Sequence, residues 1–290
     1  MSLRSILIGL VFVALWSSAF ATARVIVAHA PPLTALAFRF AISGLLAVAL
    51  ARALGQSLRL TRGQAVSVVV FGLCQNAIYL GLNFIALQWV EASLAVIIAA
   101  SMPLLVAGLG WAFRGEPISR QAAAGLAAGF LGVALIMGTR VTGGADPLGI
   151  LLCILGALAL AVATLSLGNA ASGGNVLMVV GLQMLVGSAA LAVIAALTEE
   201  WHFTPSPAFW AAFIWQILAP GLAATLLWFR LVGEIGTVRA AAFHFLNPAF
   251  GTLVAILLLG ESLHGWDLVG IAVTMIGILL VQRARIAASG

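Results

Sequence analysis

The residues of this chain that could do chemistry are few, and they are set inside long apolar runs. His244 and Asn247 stand three positions apart, the spacing that puts two side chains on one helix face. His29, His202 and His264 fall in loops, so His244 is the histidine deep in an apolar run. A ring at that depth either serves function or sits as a neutral imidazole bonded to a neighbouring helix. Asn76, Tyr79 and Asn83 recur at i, i+3 and i+7 and form a second polar stripe around the only tyrosine. That stripe reads as the wall of a wet cavity or as glue between helices. Trp16 and Ser17 add a ring and a hydroxyl, and Trp215 is another ring away from the ends of its run. The remaining tryptophans fit anchoring at membrane interfaces. An aromatic wall with a few polar groups suits a ligand with a planar ring.

Pro103 and Pro248 each remove a backbone donor in mid-run and free a carbonyl four residues back, that of His244 in the second case. They read as packing kinks or as gating hinges. Arg24 is expected to snorkel outward from the end of its run. Arg39 reads as a cap on helix carbonyls or a clamp between helices, with a ligand carboxylate as the lesser alternative. Glu116 and Glu261 precede new helices, where the N-terminal dipole favours a carboxylate. All eight acids map to loops or run ends. Transporters that exchange protons or cations usually bury a carboxylate, so facilitated diffusion, or weak proton coupling through His244, is the expectation. No C-x-x-C, H-E-x-x-H or His/Cys cluster occurs. Neither a metal nor a cofactor is therefore expected.

The elements that must position these residues are membrane spans. Of 290 residues, 63% are hydrophobic and 7% charged, with a mean hydropathy of +1.21. That composition excludes an ordinary soluble domain and makes lipid the solvent. Ten apolar stretches can cross a bilayer: 5–28, 32–54, 64–86, 92–113, 120–138, 147–169, 175–197, 208–230, 237–259 and 265–282. The first resembles a secretion signal at Arg4 and Ala19-Phe20-Ala21, but it is longer than a signal core and is expected to stay. The net charge of +5 is carried by arginine alone, in single residues near run ends rather than in a phosphate-binding stripe, so no nucleic acid partner is expected. With both termini cytoplasmic, ten arginines fall in the inside loops and ends and only Arg140 in an outside loop. That is the positive-inside pattern of an inner (plasma) membrane protein.

Offset by 145 positions, the chain matches itself. Pro103 falls on Pro248, Gly115-Glu116 on Gly260-Glu261, Gly125 on Gly270 and Gly132 on Gly277. The expected architecture is all-α: ten transmembrane helices as two five-helix repeats, 1–145 and 146–290. An odd number of spans per repeat inverts the second copy, an arrangement common in secondary transporters. The glycines of the fifth and tenth spans would pack those helices together or form a dimer face.

Two five-helix halves with Gly115-Glu116 and Gly260-Glu261 at their fourth-to-fifth junctions resemble the EamA family of the drug/metabolite transporter superfamily. Leu15-Trp16-Ser17-Ser18-Ala19-Phe20, Phe38-Arg39-Phe40 and the Pro103 segment are similar to its first half. Within that family the chain looks most like the YddG-type exporters of aromatic amino acids. The resemblance implies a central cavity lined by helices 1, 3, 4, 6, 8 and 9, and substrate moved by alternating access. Trp16, Ser17, Asn76, Tyr79, Asn83, His244 and Asn247 are the candidate binding residues, with Pro103 and Pro248 as gates. The expected cargo is a small neutral or zwitterionic metabolite, above all an aromatic or other hydrophobic amino acid. A sugar phosphate, nucleotide sugar or drug is the alternative cargo. An intramembrane enzyme ranks lower, since no nucleophile motif or buried acid supports one. The protein is expected to act as a monomer or homodimer.

Overall fold

The structure, a computed structural model, describes residues 2–115, 118–142, 144–166, 175–235, 240, 242–263 and 265–288. Those residues are helical with short connections, and no strand occurs among them. In chain order the helices are α1 (Leu3–Val27), α2 (Pro32–Ala53), α3 (Arg62–Ala86), α4 (Ala92–Ala100 and Met102–Arg114) and α5 (Arg120–Thr142). The second half holds α6 (Pro147–Ser166), α7 (Val176–Thr198), α8 (Pro207–Ile235), α9 (Phe243–Leu259) and α10 (Asp267–Ala288). Nine of these are long and apolar enough to cross a membrane among the described residues, while α9 is apolar but shorter. The expected ninth span, 237–259, begins with residues 237–239 and 241 outside the described residues.

Local sequence starts and stops these helices in ordinary ways. Ser2 caps α1 by accepting from Ser5 N. Thr61 and Gln64 form a reciprocal capping box at α3, and prolines open α2, α6 and α8. Gly115 and Gly260 end α4 and α9 in left-handed turns at φ 64° and 68°, which glycine adopts without a Cβ penalty. The outer surface exposes Leu45, Trp111, Phe113, Leu131, Leu197 and Leu257, as befits a molecule solvated by lipid. The buried core gathers Phe20, Ile26, Leu36, Phe40, Leu94, Ile97 and Ile98 from α1, α2 and α4.

The two halves pack through matched pairs, α2 on α7 and α5 on α10. Glycine makes the second pair close. A Cβ on Gly277 would stand 2.3 Å from Gly129 N and 2.6 Å from Gly125 O. The glycine faces of α5 and α10 are therefore spent on each other within one chain.

Irregularities recur at the repeat offset. α3 widens into π-helix at Gly72–Tyr79 and α8 at Ile217–Ala223, starting 145 positions apart. α4 breaks at Ser101, and the α-helical part of α9 restarts after Leu246, again 145 apart. The sequence suggests prolines kinking continuous helices. Instead, Pro103 and Pro248 each stand second in a restarted helix, where no partner for the missing N–H is required.

Half-buried charged and amide side chains join the halves end to end. Glu199 accepts from Leu33 N, Thr34 N and Thr34 Oγ1 at the start of α2 (2.7, 2.8 and 2.8 Å). Gln56 accepts from Met178 N at the matching start of α7 (3.0 Å). Glu261 accepts from Ala92 N and Ser93 N at 2.7 and 3.0 Å, so it caps α4 of the other half rather than the helix that follows it. Glu116 lies outside the described residues. Arg24 does not snorkel. Its Nη1 donates to the carbonyls of Leu87 and Val90, the latter at 2.6 Å, where α3 ends.

Candidate functional site

α1, α8 and α9 meet around His244. The residue lies in the short 3-10 turn Ala242–Leu246 that leads into the restarted α9. Asn247, one turn on, places its Nδ2 2.9 Å from His244 Nδ1. Its Oδ1 accepts from Ser17 Oγ of α1 at 3.4 Å. With the Asn247 amide donating, Nδ1 is the acceptor and the neutral ring carries its proton on Nε2. Ser17, Asn247 and His244 thus form one polar rung between α1 and α9.

Aromatic rings pack around the His244 end of that rung. Phe12 meets His244 edge-on, with centroids 5.4 Å apart and planes at 87°. Trp16 lies 6.3 Å and Trp228 5.3 Å from the same ring. Phe12 also sits 5.8 Å from Trp16 and 5.2 Å from Trp228, so four rings share one cluster. Edge-to-face pairs of this kind contribute about 0.5–1.5 kcal/mol each beyond the area they bury. A polar rung with aromatic rings at one end offers a planar apolar group a face to stack on and hydrogen-bonding groups beside it.

Two members of the box escape a reading of the sequence. Trp228 lies near the end of its apolar run and reads there as an interfacial anchor, but its ring packs on Phe12 and His244. Phe12 is one phenylalanine among fifteen. A usable signal was position: Phe12 and Trp16 are four apart and share a face of α1. Trp215 goes the other way. It is half exposed, donates from Nε1 to Ser18 Oγ at 2.8 Å, and lines an apolar groove of about 430 Å³ with Leu15, Ile214 and Leu218 on the outer face.

The α3 stripe lies on a different flank, towards α6 and α7. Asn76 Nδ2 donates to Gln183 O of α7 at 3.0 Å, and Asn83 Nδ2 to Tyr79 O at 2.7 Å. Tyr79 is buried, and a Cβ on Gly156 of α6 would stand 3.1 Å from its carbonyl oxygen and 3.4 Å from its ring. The Asn83 bond stays within α3, and the other two contacts are between helices. Four of the seven expected binding residues are therefore brought together, and three sit apart from them. Among the described residues no three of His, Cys, Asp and Glu converge as metal ligands.

Comparison with known proteins adds four findings. Residues 3–138 and 147–283 each match the family described as the EamA-like transporter family. The chain is 28% identical over 284 residues to the uncharacterized transporter YvbV of Bacillus subtilis (strain 168), covering 96% of this chain and 92% of that protein. It is 26% identical over 285 residues to the chloroplastic WAT1-related protein At3g02690 of Arabidopsis thaliana, covering 92% and 66%. A solved crystal structure shares the fold with a TM-score of 0.69 at 23% identity, over 100% of both chains.

Proposed function

The chain belongs to the EamA-like transporter family, and from that premise we propose that it moves small neutral or zwitterionic metabolites, aromatic and other hydrophobic amino acids foremost. The observation that carries this reading is the box of Phe12, Trp16, Trp228 and His244 closed by Asn247 and Ser17. The rings take an aromatic side chain, and the polar rung orients it. Asn76, Tyr79 and Asn83 of α3 join the pathway when the helices rearrange. The two repeats, 1–145 and 146–290, stand inverted in the inner membrane with both termini cytoplasmic. They exchange an outward for an inward opening by flexing at their matched breaks, with Pro103 and Pro248 as the gates. The cargo resembles that of the YddG-type exporters within the same family.

Coupling follows from where charge lies. Among the described residues each acid sits in a loop or within the first or last turn of a helix. No carboxylate in mid-span is there to trade a proton or cation for cargo. Net flux therefore runs down the substrate gradient, with at most a weak pH effect through His244.

The test is counterflow in proteoliposomes with labelled tryptophan, phenylalanine, leucine and aspartate, with and without an imposed pH gradient. Exchange of the first three without a gradient, lowered roughly tenfold in His244→Ala for the loss of about 1.4 kcal/mol of binding, is expected. Exchange of none of them, or exchange only under a gradient, overturns the proposal.

A further inference from the structure

Arg39 stands where a cation is most costly. It lies seven residues into α2, about 10 Å from that helix's first residue at 1.5 Å per residue, and it is 6% exposed. Its guanidinium carbon is 4.9 Å from the centroid of the Phe40 ring, and Nε has no hydrogen-bond partner. Nor does it cap helix carbonyls, as Arg24 does. Glu199, at the mouth of the same helix, is engaged with the Leu33 and Thr34 amides.

Two more buried atoms in this seam lack partners. One is Ser43 Oγ, a turn further along the same face of α2. The other is Gln216 Oε1 of α8, on a fully buried side chain. Ser43 faces the π-helical turn of α8: a Cβ on Gly221 would stand 3.4 Å from its Oγ and 2.9 Å from the Gln216 carbonyl oxygen. The nitrogen of the Gln216 amide is already used, since Nε2 donates to Ala19 O and Thr22 Oγ1 of α1 at 2.7 and 3.1 Å. Depths agree as well. Gln216 is nine residues into α8, about 14 Å, and a 2.9 Å bond from Thr204 N to His29 O ties the entries of α2 and α8 at one end.

The other half supplies a control. The matching seam joins α7 to the π-helical turn of α3, and it needs none of this. Met184 stands where Arg39 does and Phe71 where Gln216 does, each 145 positions away. Ser188, the counterpart of Ser43, is satisfied by Ala37 O at 2.8 Å, and Asn76 by Gln183 O. A buried cation and an unmatched amide are thus not demanded by the fold. An unpaired buried charge and unsatisfied polar atoms each destabilise by kilocalories unless something bonds them.

The unmatched set is two donors, Arg39 Nε–H and Ser43 O–H, and one acceptor, Gln216 Oε1. A simple anion would meet the donors and be repelled by the amide oxygen. A zwitterionic headgroup satisfies all three, carboxylate on Arg39 and Ser43, ammonium on Gln216. We propose that Arg39, Ser43 and Gln216 form a recognition site for the ammonium–carboxylate headgroup of an α-amino acid, in the seam between α1, α2 and α8. The site rests on the amino acid reading above and extends it. It shares α1 with the aromatic box: Ala19, bonded to Gln216, is two residues beyond Ser17, bonded to Asn247.

The experiment is competition against labelled tryptophan counterflow by tryptophan, tryptamine (no carboxylate) and indole-3-propionate (no ammonium). The native protein is expected to prefer tryptophan at least tenfold over both. Arg39→Gln should bring tryptamine level with tryptophan, Gln216→Leu should do the same for indole-3-propionate, and Arg39→Lys should restore part of the preference. Should Arg39→Gln fail to fold, Ser43→Ala and Gln216→Leu carry the test. Thermal unfolding in detergent with glycine, which is nearly all headgroup, reads the site without transport. Stabilisation by glycine over acetate or methylamine that disappears in Gln216→Leu supports it. Variants that weaken all three competitors equally, or that keep the native preference, overturn it while leaving amino acid transport standing. Failure of the native protein to exchange tryptophan strikes the function itself, and the glycine measurement then decides the site alone.

Discussion

α5 and α10 meet backbone against backbone, whereas α4 and α9 are each interrupted at the same repeat position. The first pair runs as unbroken helices, and glycine lets them come so near that a single methyl group has nowhere to go. The second pair, with the π-helical turns of α3 and α8, gives up regular backbone hydrogen bonds at four matched places. π-Helical turns within α-helices are frequent at functional sites. Close packing resists deformation, and weakened helix ladders permit it. The contrast separates a close-packed frame from helices with interrupted backbone ladders, the ones that flex in the proposed transport cycle.

The largest effect is expected from forcing the frame apart. Gly277→Val must displace Gly129 and Gly125 backbone and should destabilise by about 1–3 kcal/mol or more. Thermal unfolding in detergent reads the loss. Gly108→Ala in α4, with nothing within 4 Å of the added atom, should be neutral or stabilising by up to about 1 kcal/mol. Equal behaviour of the two variants would erase the distinction between frame and moving parts.

Removing both prolines tests the other side. Pro103→Ala with Pro248→Ala should fold with little change, because each proline occupies a position that needs no hydrogen bond from its nitrogen. Counterflow should fall several-fold, since the restarted helices can then run continuously. Native exchange rates would mean that the breaks are packing features alone.

Smaller effects should come from the charges that pin helix ends. Glu199→Gln weakens the charge-assisted bonds to Leu33 and Thr34 and should lower stability by about 1 kcal/mol, with exchange unchanged per folded molecule. The smallest concerns the two tryptophans of α8. Trp228→Phe should alter cargo preference measured by competition, and Trp215→Phe, on the outer groove, should not. The reverse result would move the site to the lipid-facing side.

Much of the frame was legible in the residues themselves. The apolar stretches, the offset of 145 and the recurring Pro103/Pro248 and Gly115/Gly260 pairs are properties of neighbours along the chain, and spans and halves follow from them, whereas the restarts at Ser101 and Leu246 and the π-helical turns do not. The site was legible only in part. His244 and Asn247 share a helix turn, and their pairing could be read from spacing. That Ser17 of α1 completes the rung depends on how two distant helices cross, as does the choice between wet cavity and interhelical glue for Asn76 and Asn83. Trp228 was misread because a ring near a span end looks the same whether it faces lipid headgroups or a helix partner.

By itself the sequence determined that this chain lives in lipid, that it is one helical unit used twice, and which helix of each unit carries a disturbing proline. These depend on hydrophobicity and backbone geometry, which act over a few residues. Tertiary structure alone decided which polar atoms find partners: Glu261 reaching across to α4, Arg24 closing α3, and Arg39, Ser43 and Gln216 left unmatched in one seam while the equivalent seam is satisfied. Hydrogen bonding is decided at about 3 Å, and only the packing of helices far apart in the chain sets distances that fine.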